Sequence, residues 1–125
     1  KIAKWALDLK IGGHDDWYLP SRDELELIYR NLKPGKDNNY THRHGENPSS
    51  VPTGYPYTED SPAQTDVEAF RTGGAEALEE AWYWSSTQYA PLPSFAWLQY
   101  FSDGSQGYYR KGNLDRARAV RRILI

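Results

Sequence analysis

The spacing of apolar residues at the start of the chain predicts two helices. Ile2, Trp5, Ala6 and Leu9 follow the 3.6-residue period of an amphipathic helix, which we place over residues 1–11. Gly12 and Gly13 come next, and we expect them to cap this helix because glycine tolerates positive φ.

The second helix is predicted from a capping signal. Ser21-Arg22-Asp23-Glu24 is a capping box, and Lys33-Pro34-Gly35 should end the helix that it starts. Asp23, Glu24 and Glu26 lie in the first turns of this helix, where the helix dipole favours negative charge. The apolar side of this helix is formed by Leu25, Ile28, Tyr29 and Leu32.

A long polar segment follows the two helices. Residues 36–66 contain four prolines and two glycines and show no hydrophobic period, so they predict an irregular loop insertion. Loops of this length inside a compact domain are usually functional or disordered. A short helix is predicted over residues 67–80, weakened at Gly73-Gly74.

The last third of the chain predicts a sheet. Residues 81–87 are rich in β-formers and are predicted to form a strand. Pro91 and Pro93 break the extended pattern in the stretch that follows. Strands over 94–102 and 105–110 flank Asp103-Gly104, a signal for a two-residue hairpin. Residues 116–125 are predicted as the closing strand, in which Arg121 breaks the alternation and suggests a bulge or a buried ion pair. The pattern predicts an α+β fold, with two helices packed on a small, mainly antiparallel sheet.

Four motifs in these elements resemble the Lcl C-terminal domain family. They are the run from Gly12 to Leu25 with its Asp-Trp-Tyr-Leu-Pro-Ser-Arg core, Tyr-Trp-Ser-Ser-Thr at 83–87, Phe-Ser-Asp-Gly-Ser at 101–105 and Arg-Ala-Arg-Ala-Val-Arg-Arg at 116–122. The resemblance implies a C-type-lectin-like fold with its first and last strands adjacent. The length of 125 residues predicts a single domain over 1–125, and because position 1 is not methionine we expect it to be a piece of a longer chain or to have been processed. Tyr18 stands where the family usually has arginine, and the loop at 36–66 is a long insertion.

Aromatic residues supply the candidate site. Five Trp, ten Tyr and three Phe make up 14% of the chain, more than so small a sheet can bury. Trp82 and Trp84 share one strand face and are predicted to lie in the core. The predicted ligand-binding residues, chosen mainly from the rings behind the proline break, are Tyr89, Trp97, Tyr108, Tyr109 and Asn113.

Charge and cysteine content exclude several classes of function. The chain has no cysteine, so disulfides, thiolate metal sites and cysteine nucleophiles are ruled out. The net charge is −2, but residues 103–125 carry a local excess of positive charge. We expect these arginines to pair with the acidic helices rather than to bind nucleic acid. No run of 18 or more apolar residues is present, so membrane insertion is not expected.

Metal and catalytic sites are weakly indicated. His42 and His44 lack a third ligand at a recognisable spacing, and Glu46-Asn47-Pro48 is only a permuted form of a sugar-binding lectin triplet. A calcium site stays a minor alternative, on the oxygens of Ser102, Asp103, Ser105, Asn113 and Asp115. No nucleophile signature surrounds Ser85-Ser86-Thr87, so neither an enzyme nor a cofactor is expected.

The sequence leaves three functions open. The first is a non-enzymatic receptor-binding or accessory domain of a phage or prophage tail, which would contact a cell-surface protein or glycan. The second is a bacterial surface adhesin that binds anionic polysaccharide through its C-terminal arginines. The third is a structural or oligomerising component that contacts other tail or surface subunits or further copies of itself. The expected location is therefore the virion tail or the bacterial surface.

Overall fold

The first helix is shorter than its apolar spacing predicts. The computed structural model describes residues 2–41 and 56–122, and α1 spans Ile2–Leu7. Gly12 and Gly13 have φ values of 63° and 77°, but they form the turn between Ile11 and His14, whose backbones exchange two hydrogen bonds of 3.1 Å. Two consecutive positive φ values define a type I′ turn. The prediction that these glycines cap a helix over 1–11 was therefore wrong.

The second helix follows its capping signal. Helix α2 spans Arg22–Leu32, and its capping box is complete: Glu24 N–H donates to Ser21 Oγ at 3.2 Å, and Ser21 N–H donates to Glu24 Oε1 at 3.0 Å. Leu25 and Tyr29 are buried on its inner side. The local pattern therefore predicted both the start and the end of this helix.

The helix predicted over 67–80 is reduced to one 3₁₀ turn. That turn, which we label η1, spans Glu68–Phe70, and Gly73 behind it has a φ of 86°. The chain then folds back, since Glu76 N–H donates to Ala69 C=O at 2.9 Å. A Cβ on Gly74 would lie 2.4 Å from the same carbonyl oxygen. The glycine pair thus allows a tight reversal that an α-helix would not permit.

Three antiparallel strands form the sheet in the order β1-β2-β3. They span Trp82–Gln88, Phe95–Tyr100 and Gln106–Arg110. The connection between β2 and β3 has five residues, 101–105, and not the predicted two. Phe101 and Ser102 are buried, so the chain bends inward before Gly104 reverses it with a φ of 81°. The α+β class with two helices and a small antiparallel sheet is confirmed.

The predicted closing strand forms only isolated bridges. Arg116 bridges Tyr83 in parallel, and Val120 bridges Tyr18 in antiparallel fashion, while residues 123–125 lie outside the described part. A regular ladder does not develop because the segment changes its partner within four residues. This segment nevertheless brings the end of the chain next to the residues that precede α2.

Buried residues form one cluster on each face of the sheet. The first cluster lies under α2 and contains Leu25, Tyr29, Tyr57, Leu78, Tyr83 and Phe101. The second lies against α1 and the 117–119 segment and contains Ala6, Leu19, Trp84, Ala96 and Leu98. Since both faces are covered near their centre, the surface that is left for binding lies at the β3 side and at the ends of the strands.

Candidate functional site

Three of the five predicted site residues meet on one face of the sheet. The rings of Tyr89 and Tyr108 are stacked, with centroids 3.7 Å apart and planes 10° from parallel. Trp97 meets both rings edge to face, at centroid distances of 5.5 Å from Tyr89 and 5.4 Å from Tyr108. Phe95 closes the group at 6.2 Å from Tyr108. We call these four residues the aromatic patch.

Arg22 joins the aromatic patch to helix α2. Its guanidinium carbon lies 3.6 Å from the centroid of the Trp97 ring, a cation–π contact. Its Nε donates to Gln106 Oε1 at 2.9 Å, and its backbone N–H donates to Thr87 Oγ1 at 2.9 Å. Burial lowers the pKa of Arg22. These contacts hold Trp97 in place, a role for Arg22 that the sequence did not indicate.

The outer side of the aromatic patch is open. Tyr108 is 45% exposed although it stacks on Tyr89. A hydrogen bond to Tyr108 raises the pKa of Tyr89, so the Tyr89 phenol stays a neutral donor and acceptor near pH 7. The aromatic patch thus combines an exposed ring with two hydroxyl groups on a rigid base.

The other two predicted site residues lie on the opposite face of the sheet. Tyr109 is 54% exposed and lines a shallow groove of about 500 Å³ with Trp82 and Asn113. Asn113 Nδ2 donates to Asp115 Oδ2 at 2.6 Å. Adjacent strand residues point their side chains to opposite faces, so the rings of Tyr108 and Tyr109 lie on different faces of the sheet, although both residues line this groove.

Trp82 belongs to this groove and not to the core. It is 36% exposed and stacks on Tyr100, with ring centroids 5.1 Å apart, whereas Trp84 is only 3% exposed. The prediction that both tryptophans are core residues was therefore right for Trp84 and wrong for Trp82. The two side chains differ in exposure because the 117–119 segment packs on the cluster that contains Trp84, whereas Trp82 lies at the start of β1 and outside that cluster.

A buried polar cluster anchors the chain beside the long loop. Glu26 has no exposed surface, and its Oε1 accepts hydrogen bonds from the Tyr57 hydroxyl and from Gln99 Nε2, the latter at 3.0 Å. Arg30 Nη2 lies 3.9 Å from Glu26 Oε2. The sequence indicated only that Glu26 lies where the helix dipole favours negative charge, and it gave no sign that the side chain is buried. Burial raises the pKa of Glu26 despite these partners.

Replacing Glu26 with glutamine should change how stability depends on pH. Because the carboxyl has a raised pKa when folded, the native protein binds its proton more tightly than the unfolded chain. The free energy of unfolding of the native sequence, relative to Glu26→Gln, should therefore fall as the pH rises through the interval above the ordinary glutamate pKa. Urea unfolding at a series of pH values measures this difference, and a difference that rises with pH would contradict the assignment.

The C-terminal arginines are paired with carboxylates. Arg121 Nε lies 2.7 Å from Asp16 Oδ1, Arg118 Nη2 lies 3.2 Å from Glu76 Oε2, and Arg122 Nη2 lies 3.6 Å from a Glu24 oxygen. The expected pairing with the acidic helices is confirmed only for Arg122, whose partner Glu24 lies in α2, because Asp16 and Glu76 lie outside the helices. The Arg121 pair is half-exposed and not buried.

The oxygens considered for calcium serve two separate turns. Asp103 Oδ1 accepts hydrogen bonds from the backbone and the hydroxyl of Ser105, while Asn113 bonds to Asp115. Ser102 Oγ donates to Asp37 Oδ2 at 2.6 Å. Within residues 2–41 and 56–122, no group of three or more metal-ligating side chains is found. His42 and His44 lie outside the described ranges.

The motifs on these elements correspond to one known family. A family model described as the Lcl C-terminal domain matches residues 2–121. The chain belongs to the Lcl C-terminal domain family. No curated protein and no solved structure matches it. In the described part of this Lcl C-terminal domain, no helix is long and apolar enough to cross a membrane.

Tyr18, the departure from the family motif, has a structural role in this Lcl C-terminal domain. Its hydroxyl donates to Glu24 Oε2 at 2.6 Å and accepts from Arg122 Nε at 3.0 Å. Burial by itself would raise the pKa of Glu24, but the hydrogen bonds from Tyr18 and Ser21 and the charge of Arg122 outweigh it and lower the pKa. The phenol thus connects the start of α2 with the end of the chain.

Proposed function

We propose that this domain is a non-enzymatic, adhesin-like recognition module that acts as a receptor-binding or accessory domain on a phage or prophage tail. Its target is a protein or glycan on a bacterial surface. The observation that carries the proposal is the aromatic patch, in which Arg22 and Trp97 form a rigid base for the exposed ring of Tyr108. Tyrosine and tryptophan offer large contact areas at a low entropic cost, which suits a recognition surface.

A C-type-lectin-like arrangement of the chain is part of this proposal. The antiparallel bridge between Tyr18 and Val120, which joins the beginning and the end of the chain, supports it. The family match over residues 2–121 supports an adhesin-like role. Ligand specificity in such modules resides in surface loops and rings, so the fold does not name the target.

Binding of anionic polysaccharide by the C-terminal arginines is the less favoured alternative. Arg118, Arg121 and Arg122 already face carboxylates, so an anionic ligand would have to displace those partners. We therefore expect binding that changes little between low and moderate salt, because contacts made by uncharged rings are not screened by ions.

Replacing Tyr108 with alanine should weaken binding to target cells or immobilised surface glycans by about 30-fold, the effect of losing an interface hot spot of about 2 kcal/mol. The measurement is binding of the labelled domain to a panel of bacterial strains and to a glycan array. Trp82→Ala is the matched control, since Trp82 is a similarly exposed ring on the opposite face. If Trp82→Ala abolishes binding and Tyr108→Ala does not, the groove and not the aromatic patch is the site.

A further inference from the structure

The two edges of the sheet differ in how they are covered. The outer edge of β1 is occupied by the chain itself: Trp84 N–H donates to Arg116 C=O at 2.9 Å, and Arg116 N–H donates to Trp82 C=O at 3.2 Å. Strand β3 stands at the other end of the order β1-β2-β3. Unpaired edge strands are ready templates for pairing with another strand.

The hydrogen-bond phase shows which β3 residues face outward. Lys111 N–H donates to Ser94 C=O at 2.9 Å, and Tyr100 N–H donates to Ser105 C=O at 2.8 Å. Hydrogen-bonded pairs alternate along an antiparallel ladder, so in this register Tyr109 is bonded to β2. The backbone groups of Tyr108 and Arg110 therefore point away from β2, at the open edge.

These outward groups have few partners within the chain. Among the hydrogen bonds of the described residues, the Arg110 carbonyl accepts from Asn113 N–H at 2.9 Å, and no backbone partner is found for Tyr108 or for Arg110 N–H. Tyr108, Tyr109 and Arg110 are all exposed, whereas Gln106 at the start of the strand is 3% exposed. The accessible part of the edge is thus short and ends at Arg110.

We infer that β3 pairs edge to edge with β3 of a second copy of this chain, in an antiparallel register centred on Tyr109. This register uses only the exposed residues, because it places Tyr108 opposite Arg110 of the other copy. Each Arg110 then lies beside a tyrosine ring and not beside the other Arg110, so like charges are kept apart and a cation–π contact becomes available. The two Tyr109 rings face each other.

The pairing has a consequence for recognition, although it does not depend on the proposed function. Residues directly opposite each other in paired strands have their side chains on the same face of the sheet. The aromatic patches of both copies would therefore lie on the same side of a six-stranded sheet. Two linked sites bind a multivalent surface more tightly than one, without any new contact to the ligand.

Sedimentation equilibrium of the domain should reveal a species of twice 14.4 kDa that dissociates on dilution. Arg110→Pro removes the outward N–H without removing a bond of the β2–β3 ladder, and edge strands tolerate proline at such positions. We expect at least a tenfold increase in the dissociation constant. Tyr109→Asp, which places two like charges opposite each other at an exposed site, should have the same effect if the proline variant does not fold.

The register is tested by a single cysteine, since the chain has none of its own. Non-hydrogen-bonded partners in an antiparallel pair have Cα atoms about 4.5 Å apart, within disulfide range. Tyr109→Cys should therefore give a disulfide-linked dimer on mild oxidation, and Gly107→Cys should not.

Leu114→Ala is the control for these variants, because Leu114 is 97% exposed and lies off the strand. It should leave the dimer unchanged. A wild-type protein that stays monomeric at millimolar concentration, or a dimer that survives Arg110→Pro and Tyr109→Asp, would overturn the inference. Ligand binding by a monomeric Arg110→Pro variant would still support the proposed function, so the two ideas can fail separately.

Discussion

Replacing Asn39 with alanine is expected to lower the free energy of unfolding by about 4 kcal/mol, because it leaves several buried polar groups without partners. Asn39 is 4% exposed, and its Nδ2 donates to Thr58 C=O at 3.0 Å and to Pro62 C=O at 2.8 Å. Its Oδ1 accepts from Lys33 Nζ at 2.9 Å and from the Tyr29 hydroxyl. One side chain thus links the end of α2 to the chain on both sides of the undescribed segment 42–55.

Among the groups that would lose a hydrogen-bond partner, the Lys33 ammonium should contribute most to the loss of stability. Lys33 is 2% exposed, and burial lowers its pKa. Besides Asn39, its Nζ donates to the Asp37 carbonyl, so alanine at position 39 would leave a buried cation with one acceptor fewer. Buried charges that lose a partner are strongly destabilising.

Urea unfolding followed by tryptophan fluorescence measures the effect of Asn39→Ala. Asn38→Ala is the control, because Asn38 is the same residue type one position earlier and is exposed. Its effect should stay within about 0.5 kcal/mol, as for most surface substitutions. Equal effects of the two variants would show that Asn39 does not anchor this part of the chain.

Replacing Gly104 with alanine should lower the free energy of unfolding by about 3 kcal/mol, through backbone strain and a steric clash together. Gly104 has a φ of 81°, a conformation that side chains with a Cβ rarely adopt. A Cβ there would lie 2.5 Å from Tyr29 Cε2 and 2.6 Å from Tyr57 Cε2. Both rings belong to the cluster under α2, so the core would have to shift to admit one methyl group.

Gly73→Ala separates the two causes. Gly73 has a similar φ of 86°, but a Cβ on it would meet no atom within 4 Å. It should therefore cost about 1 kcal/mol, the strain contribution alone. Thermal unfolding of both variants measures the difference, and a Gly104→Ala protein no less stable than Gly73→Ala would show that the clash is relieved at little cost.

Local chemistry explains the predictions that were confirmed. The capping box depends on two residues three positions apart, Ser21 and Glu24. Short runs of β-formers are likewise sufficient to predict the strands at 82–88, 95–100 and 106–110. The helix predicted at 67–80 failed for a reason that is also local in part, since Gly73 and Gly74 permit a reversal. The five-residue connection before β3 was missed because nothing in the Asp-Gly signal shows that Phe101 would be buried in the core.

The candidate site was predicted in its composition but not in its geometry. Tyr89, Trp97 and Tyr108 do meet, whereas Tyr109 and Asn113 lie on the other face. The strand period alone could have separated Tyr108 from Tyr109, since neighbouring residues in a strand point to opposite faces.

The sequence by itself determined the family, the α+β class, the limits of α2 and the aromatic strands, because each depends on a few neighbouring residues. Only the tertiary structure decided that Glu26 is buried, that Trp82 is exposed and that Arg22 supports Trp97. Those outcomes depend on which side chains arrive from distant parts of the chain. The burial of a side chain and its pairing with another depend on these tertiary contacts, and a local sequence pattern does not determine them.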